Sequence, residues 1–504
     1  MSTDGSRRSR RDAAAQPSSR RPARRGSGGE SSSSRRSQTR RRRSRAFLGG
    51  FALVVGALAV VGVVGAAAGT AQGPRATDVQ VDPAAAVAAS GSRLIVTTTQ
   101  SLEKVDPSQV TVSPATPFTI DTSGRNVGVR FTLPLFDDTE YTVTIDRLVG
   151  VGGGPASTVT ETFRTPPIDL YLLRRGESGD QIFRTDVGAN SAVPVFTNDH
   201  IEDYRATSSH LVVSVRTPED RAELIVTDLD GQNARTLKLP GNGYVTNLQS
   251  ADRGELIGYT YSDKALSAGS GRESALYTAS LKPDAAQEDP TPVTVSGDDP
   301  RVAEWRFVPD TDSILLLTFD GRLSLTSSSG GDPVALGTAL TIDGIARGSS
   351  HAVVDRPDGL AEVDLTDGTE SPLVAPDQDL GRIASVTPLP GEGSGTLRTF
   401  SQVEDNTRVL GSTIVHVTQD GMATPLLEVP ATDAVIQTCA SPSGRYAAVL
   451  TAPDVVANRY DAYQLPLPAN LETRIIDITA TDPADAVVSM LTGFDASWCQ
   501  VPPK

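Results

Sequence analysis

From Arg93 to the C-terminus, short runs of alternating apolar and polar residues are separated by turn-forming Gly, Pro and Asp. Alternation of this period is the mark of half-buried β-strands. Residues 93–98, 110–112, 127–133, 141–145 and 158–163 read as strands, punctuated by Asp106-Pro107, Ser123-Gly124 and Asp137-Asp138. With no helical pattern between them, residues 75–166 are expected to form a small antiparallel β-sandwich. The stretch has no cysteine, so it is not of the disulfide-pinned kind.

Residues 168–504 repeat a four-strand unit, clearest at 223–239 (ELIVTDLDGQNARTLKL), 361–374 (AEVDLTDGTESPLV) and 412–429 (STIVHVTQDGMATPLLEV). Asp230-Gly231, Asp367-Gly368 and Asp420-Gly421 are hairpin turns in which Gly takes a positive φ. Unit starts fall at Ile201, Val245, Val302, Ile342, Ile383, Val435 and Phe494, 40 to 59 residues apart. That spacing predicts β-propeller blades. The last start has only its first strand, and the residues before Ile201 supply three strands without a first. The two ends are therefore expected to complete one blade, giving seven, with six and eight as the neighbouring counts. This closure puts Cys439 and Cys499 in equivalent strands of adjacent blades. A Cys439–Cys499 disulfide stapling the ring is expected, with two buried free thiols as the alternative.

The N-terminus follows another pattern. Residues 46–71 carry no charge and are dense in Val, Leu, Ala and Gly, a length sufficient for a hydrocarbon core of about 30 Å. Residues 1–45 hold 15 Arg against Asp4, Asp12 and Glu30 and almost no large apolar side chain, so disorder is expected. Arg40 to Arg43 and Arg45 abut the apolar run, which places the tail in the cytoplasm and the bulk of the chain outside the cell membrane. The run is longer than a signal-peptide core of about 7–15 residues, favouring a retained single-pass anchor over a cleaved signal, despite the small residues Gly69, Thr70 and Ala71. The fold class is thus all-β: a seven-bladed propeller (168–504) and a sandwich (75–166), behind one transmembrane helix (46–71) and a disordered basic cytoplasmic tail (1–45).

Two resemblances sharpen this reading. Residues 135–165 (LFDDTEYTVTIDRLVGVGGGPASTVTETFRT) resemble the bacterial Ig-like domain of S-layer-associated envelope proteins, with Tyr141, Val143, Phe163 and Thr165 matching its closing strands. The resemblance implies a spacer. Residues 441–450, opening on Ser441, Pro442, Ser443 and Gly444, resemble the S-P-x-G turn of TolB-like propellers, and residues 251–254 are a weaker copy. That resemblance implies protein or ligand binding at a propeller face.

The net charge of -15 hides a division between a tail of +12 and a body of -27. An acidic body argues against nucleic acid as a partner, while the basic tail suits anionic lipid. Arg outnumbers Lys 41 to 5, a bias typical of GC-rich bacterial genomes, whose envelope is a place where two cysteines can pair. The chain has no G-x-S-x-G or H-E-x-x-H motif, and its four His, at 200, 210, 351 and 416, are scattered. Gly150 to Gly154 lack the Lys-Ser/Thr of a phosphate loop, and Asp228 and Asp230 lack the later Glu of a calcium loop. No catalytic residue, metal or cofactor is expected. Trp305 and Trp498 each end an innermost strand and are candidate ligand-binding residues at the channel mouth, with core packing as the alternative. The expected function is a membrane-anchored extracytoplasmic binding or scaffold protein that recognises an envelope protein or cell-wall component. The alternative is a propeller-type hydrolase or lyase acting on envelope polysaccharide, which requires two carboxylates converging in a pocket.

Overall fold

The computed structural model describes residues 53–61, 72–251, 255–267, 270–405 and 408–503. The basic tail lies outside them, as does all of the apolar run except residues 53–61, which are helical and exposed. No helix among the described residues is long and apolar enough to cross a membrane. The weaker S-P-x-G copy at 251–254 also falls largely outside.

Residues 76–164 form two antiparallel sheets. One has the order β1 (Ala76–Gln80), β2 (Arg93–Thr98), β5 (Asn126–Phe131), β4 (Phe118–Ser123); the other runs β3 (Val110–Ser113), β6 (Glu140–Leu148), β7 (Ser157–Arg164). Alternate residues face inward, so Leu94, Val96, Val127, Val129 and Phe131 of one sheet share a core with Val110, Val112, Tyr141, Val143 and Ile145 of the other. The strands β1 and β4 were not apparent in the sequence pattern. Each is an edge strand with one partner, and β1 is exposed at every residue but Val79. The expectation of no helix is also corrected: Pro83–Ala88 form a short helix, α1. Its signal was legible, because Asp82 accepts from Ala84 N and Ala85 N at 3.1 Å and Pro83 fills the first helical position.

Beyond Asp169, seven antiparallel sheets follow one another among the described residues, six of four strands and one of three. The first strands of sheets 2 to 7 are Ile201–Ala206, Gly243–Ser250, Val302–Phe307, Thr341–Ile345, Arg382–Pro388 and Ala434–Ala440. Each lies beside the next, so together they surround a common axis. Sheet 1 (Asp169–Arg174, Asp180–Asp186, Ala192–Asn198) has no first strand of its own. Leu173 instead exchanges two 2.9 Å backbone hydrogen bonds with Phe494, and Ser497 N donates to Tyr171 O at 3.0 Å. The two ends of the domain thus share one sheet, the closed ring of a β-propeller-type fold, which leaves no open edge at the seam. Cys439 and Cys499 are disulfide-bonded across that seam, with Cα atoms 5.2 Å apart. Gly231 stands where a Cβ would meet Val195 O at 1.8 Å, so the Asp-Gly turn of sheet 2 is held close to sheet 1.

Trp305 shows how tightly neighbouring sheets pack. It is 0% exposed, lies edge-on to Phe307 at 5.1 Å, and a Cβ on Gly258 of sheet 3 would stand 2.4 Å from its ring. Gly258→Ala is therefore expected to destabilise the domain by about 1–3 kcal/mol through overpacking. The check is a denaturant titration, in which the midpoint falls while the m-value holds; an unchanged midpoint would mean that the indole has room to move.

Candidate functional site

The channel wall is stitched by side chains that reach from each first strand to the backbone of the next. Arg205 Nε donates to Leu248 O at 2.7 Å while Leu248 N donates to Asp203 Oδ2 at 3.2 Å. Gln249 Nε2 donates to Trp305 O at 2.7 Å. Arg306 Nη2 donates to Ile342 O at 2.8 Å, and Ile342 N to Glu304 Oε2 at 2.9 Å. The Val386 N–H lies close enough to the Asp343 carboxyl to favour its ionised form. Thr387 Oγ1 donates to Thr438 O at 2.8 Å and Gln437 Nε2 to Val501 O at 2.9 Å. The last join crosses the seam, where Arg205 Nη1 holds the Asp495 carboxylate at 2.8 and 2.9 Å and Tyr204 OH donates to Asp495 O at 2.7 Å. Six of the seven junctions between neighbouring sheets are hydrogen-bonded in this way, and at the seventh Asp343 faces the Val386 N–H.

Sequence reasoning missed this ring, although a signal existed. Polar residues stand two and four positions after several unit starts, as in Asp203 and Arg205, Asn247 and Gln249, Glu304 and Arg306, and Ser385 and Thr387. At the seam, two carboxylates share one guanidinium with no solvent around them. Burial raises the pKa of both Asp203 and Asp495 against the pull of Arg205, and Asp203 is pushed up to about 8.

Within the ring is an axial cavity of about 430 Å³, walled by sheets 4 to 7 and the closing segment. Glu304, Arg306 and Asp343 lie on its wall, and burial pushes the Asp343 carboxyl up to about 6 despite the Val386 N–H. The structure separates the two candidate tryptophans. Trp305 lines no part of this cavity and packs between sheets 3 and 4, so the packing alternative describes it. Trp498 is on the cavity wall, yet it is only 3% exposed and stacks on Tyr446 at 6.3 Å. Cys439 and Cys499 line the same wall.

The two faces of the ring differ. The turns between first and second strands meet the sandwich: Ser90 Oγ donates to the Asp310 carboxylate at 2.9 Å, Leu133 packs beside Gly348 and Gly391, and Arg445 Nη1 donates to Asp137 O at 3.2 Å. The turns between second and third strands lie at the other end of the same strands, on the open face. There the chain exposes Leu266, Phe319 (57%), Leu340, Val409, Leu410, Val456 (95%) and Tyr460 (64%).

The largest element of the open face is residues 453–471, an insertion between the second and third strands of sheet 7. It is anchored rather than loose. Arg175 Nη1 contacts Asp461 Oδ2 at 2.6 Å and its guanidinium lies 3.7 Å from the centre of the Tyr463 ring. On the other side of that ring system, His200 stacks on Tyr463 at 4.1 Å, and Tyr463 OH donates to the Asp180 carboxylate at 2.7 and 2.8 Å. Burial and the hydrogen bond to Asp180 hold the Tyr463 hydroxyl in its protonated form. Between this insertion, Arg175 and Phe494 lies a groove of about 760 Å³. Among the described residues no cluster of His, Cys, Asp and Glu could hold a metal ion.

No protein-family model and no curated protein matches the chain. Solved structures similar to it include a candidate TolB of Agrobacterium tumefaciens, 16% identical over 54% of this chain and 90% of that one, with a TM-score of 0.37. The β-propeller domain of Swd1 from Myceliophteria thermophila is 13% identical over 58% and 86%, TM-score 0.38. An oligogalacturonate lyase in complex with manganese is 10% identical over 66% and 93%, TM-score 0.40. At such values the ring rests on this chain's own strand pairing.

Proposed function

We propose that the chain is a membrane-anchored extracytoplasmic binding protein of a bacterial cell envelope. In this reading residues 46–71 span the membrane, the Ig-like sandwich is a spacer, and a seven-bladed propeller recognises an envelope protein or cell-wall component. One observation carries the proposal. The sandwich covers one face of the ring, and the opposite face exposes large apolar side chains from sheets 3 to 7 beside a firmly anchored insertion. Large apolar side chains exposed on one face are a mark of interaction surfaces. Phe319→Asp with Tyr460→Asp is expected to reduce recovery of the specific envelope partner at least tenfold in a cross-linking pull-down with the full chain, with the fold retained. Val193→Asp, on the outer rim, is expected to leave recovery unchanged. Equal recovery by both variants would count against the open face.

The alternative, a hydrolase or lyase of envelope polysaccharide, has one observation in its favour. Glu304 and Asp343 line the same cavity, and the raised pKa of Asp343 suits a general acid in a carboxyl pair. Its test is release of reducing or unsaturated ends from wall polysaccharide, abolished by Asp343→Asn. No release by the wild type removes this reading.

A further inference from the structure

A second cavity of about 430 Å³ lies between the sandwich and the ring, where the first-to-second-strand face is covered. Its sandwich side is α1, through Ala84, Val87 and Ala88; the interdomain linker adds Pro166, Pro167 and Ile168. The ring contributes Tyr171, Ala206 and Leu229. These groups are apolar, while Asp169, Thr207, Ser208, Ser250 and Ser497 add polar atoms to the same lining. Arg347, Trp498, Cys499 and Gln500 border both this chamber and the axial cavity, so the two meet at one polar waist. Beyond the waist, the wall turns polar with Glu304, Arg306, Asp343 and Gln437.

A chamber of this size between two domains, mostly apolar with several polar groups, has the make-up of a small-molecule site. We propose that the interdomain chamber binds a single-chain amphiphile with an anionic head. The apolar chain lies against α1 and the proline-rich linker, and the head sits at the waist, beside Arg347 and Gln500. Two features of the lining accord with this location. First, α1 presents exposed alanines, Ala84 and Ala88, to the ring instead of large side chains that would fill the gap. Second, the closing segment places Trp498 between the two cavities, as a wall to both.

The test uses the full chain in its membrane and a photoreactive dodecanoate, with labelled peptides mapped by mass spectrometry. Labelling is expected in residues 83–88, 166–171 and 496–500, and is expected to fall when unmodified dodecanoate is added. Ala88→Trp or Ala84→Trp fills the chamber from an exposed helix position, and each is expected to lower labelling at these peptides at least fivefold with an unchanged melting temperature. Arg347→Gln is expected to lower it for dodecanoate more than for a dodecanol probe, which carries no charge. Labelling that is unchanged by both tryptophan variants, or spread evenly over the chain, would overturn the proposal. Because these peptides are remote from the open face, loss of partner recovery in Phe319→Asp with Tyr460→Asp has no bearing on this result.

Discussion

Arg205→Met is expected to lower the stability of the propeller by about 3–5 kcal/mol, the range for removing one partner from a buried ionic group. In the intact protein Arg205 lies 3.2 Å from Asp203 and 2.8 Å from Asp495, and all three side chains are buried. Without the guanidinium, two carboxylates face each other with no counter-charge, and Leu248 O loses its donor. The loss falls at the seam, so sheet 1 should loosen before the others. Hydrogen exchange would show it as faster exchange in Asp169–Arg174 than in the strands of sheet 4. The same cluster gives the wild type a pH dependence of fixed sign. Burial raises the folded-state pKa of Asp203 from the ordinary carboxylate range to about 8, so the folded chain keeps a proton that the unfolded chain releases. Its contribution to stability is fully present below the unfolded value and is lost as pH rises through about 8. Asp203→Asn resembles the protonated acid and keeps an acceptor for Leu248 N, so its melting temperature should decline less than the wild type's between pH 5 and 8. Parallel declines would place the proton elsewhere.

Removal of the disulfide by Cys439→Ala with Cys499→Ala is expected to cost roughly 4 kcal/mol in the chain-entropy account of a bridge spanning 60 residues. The bridge fixes the closing segment to the first strand of sheet 7, while Phe494 and Ser497 fix it to sheet 1. Its loss leaves only non-covalent contacts, the Arg205–Asp495 ion pair and the packing of Phe494 and Trp498 among them, to hold the ring shut. Thermal unfolding with and without a reductant checks the cause: the reductant should lower the midpoint of the wild type and leave that of the double variant unmoved. A variant as stable as the oxidised wild type would show that the polar ring suffices for closure.

The sheets were legible because their cause is local. Alternation of apolar and polar residues between Asp-Gly turns marks each strand, and Ile201, Val302 and Val435 each lie in a first strand. The shared sheet at the seam followed from counting strands at the two ends, and the paired cysteines followed from the seam. What the pattern did not carry is long-range or shifted in register. Arg205 and Asp495 are 290 residues apart, and no window of sequence joins them. The insertion at 453–471 looks like a polar loop until Arg175, Asp180 and His200 of sheet 1 and its exit are seen to clamp Tyr463. Trp305 became a ligand-binding candidate because it ends an innermost strand, with packing as the alternative, and position along a strand does not say which way a side chain faces. It packs against the neighbouring sheet, and a bulge between Val302 and Glu304 interrupts the alternation of its strand. The same irregularity follows Ile201, Ile342, Ile383 and Val435, so strand faces in this ring cannot be read from period two alone.

The most direct test of the account is site-specific photo-crosslinking in the native envelope, with a photoreactive phenylalanine analogue placed in turn at Phe319, Tyr460 and Val193 of the full chain. The account predicts one defined adduct from Phe319 and Tyr460 on the open face and none from Val193 on the rim. Adducts from Val193 with none from either face position would contradict it.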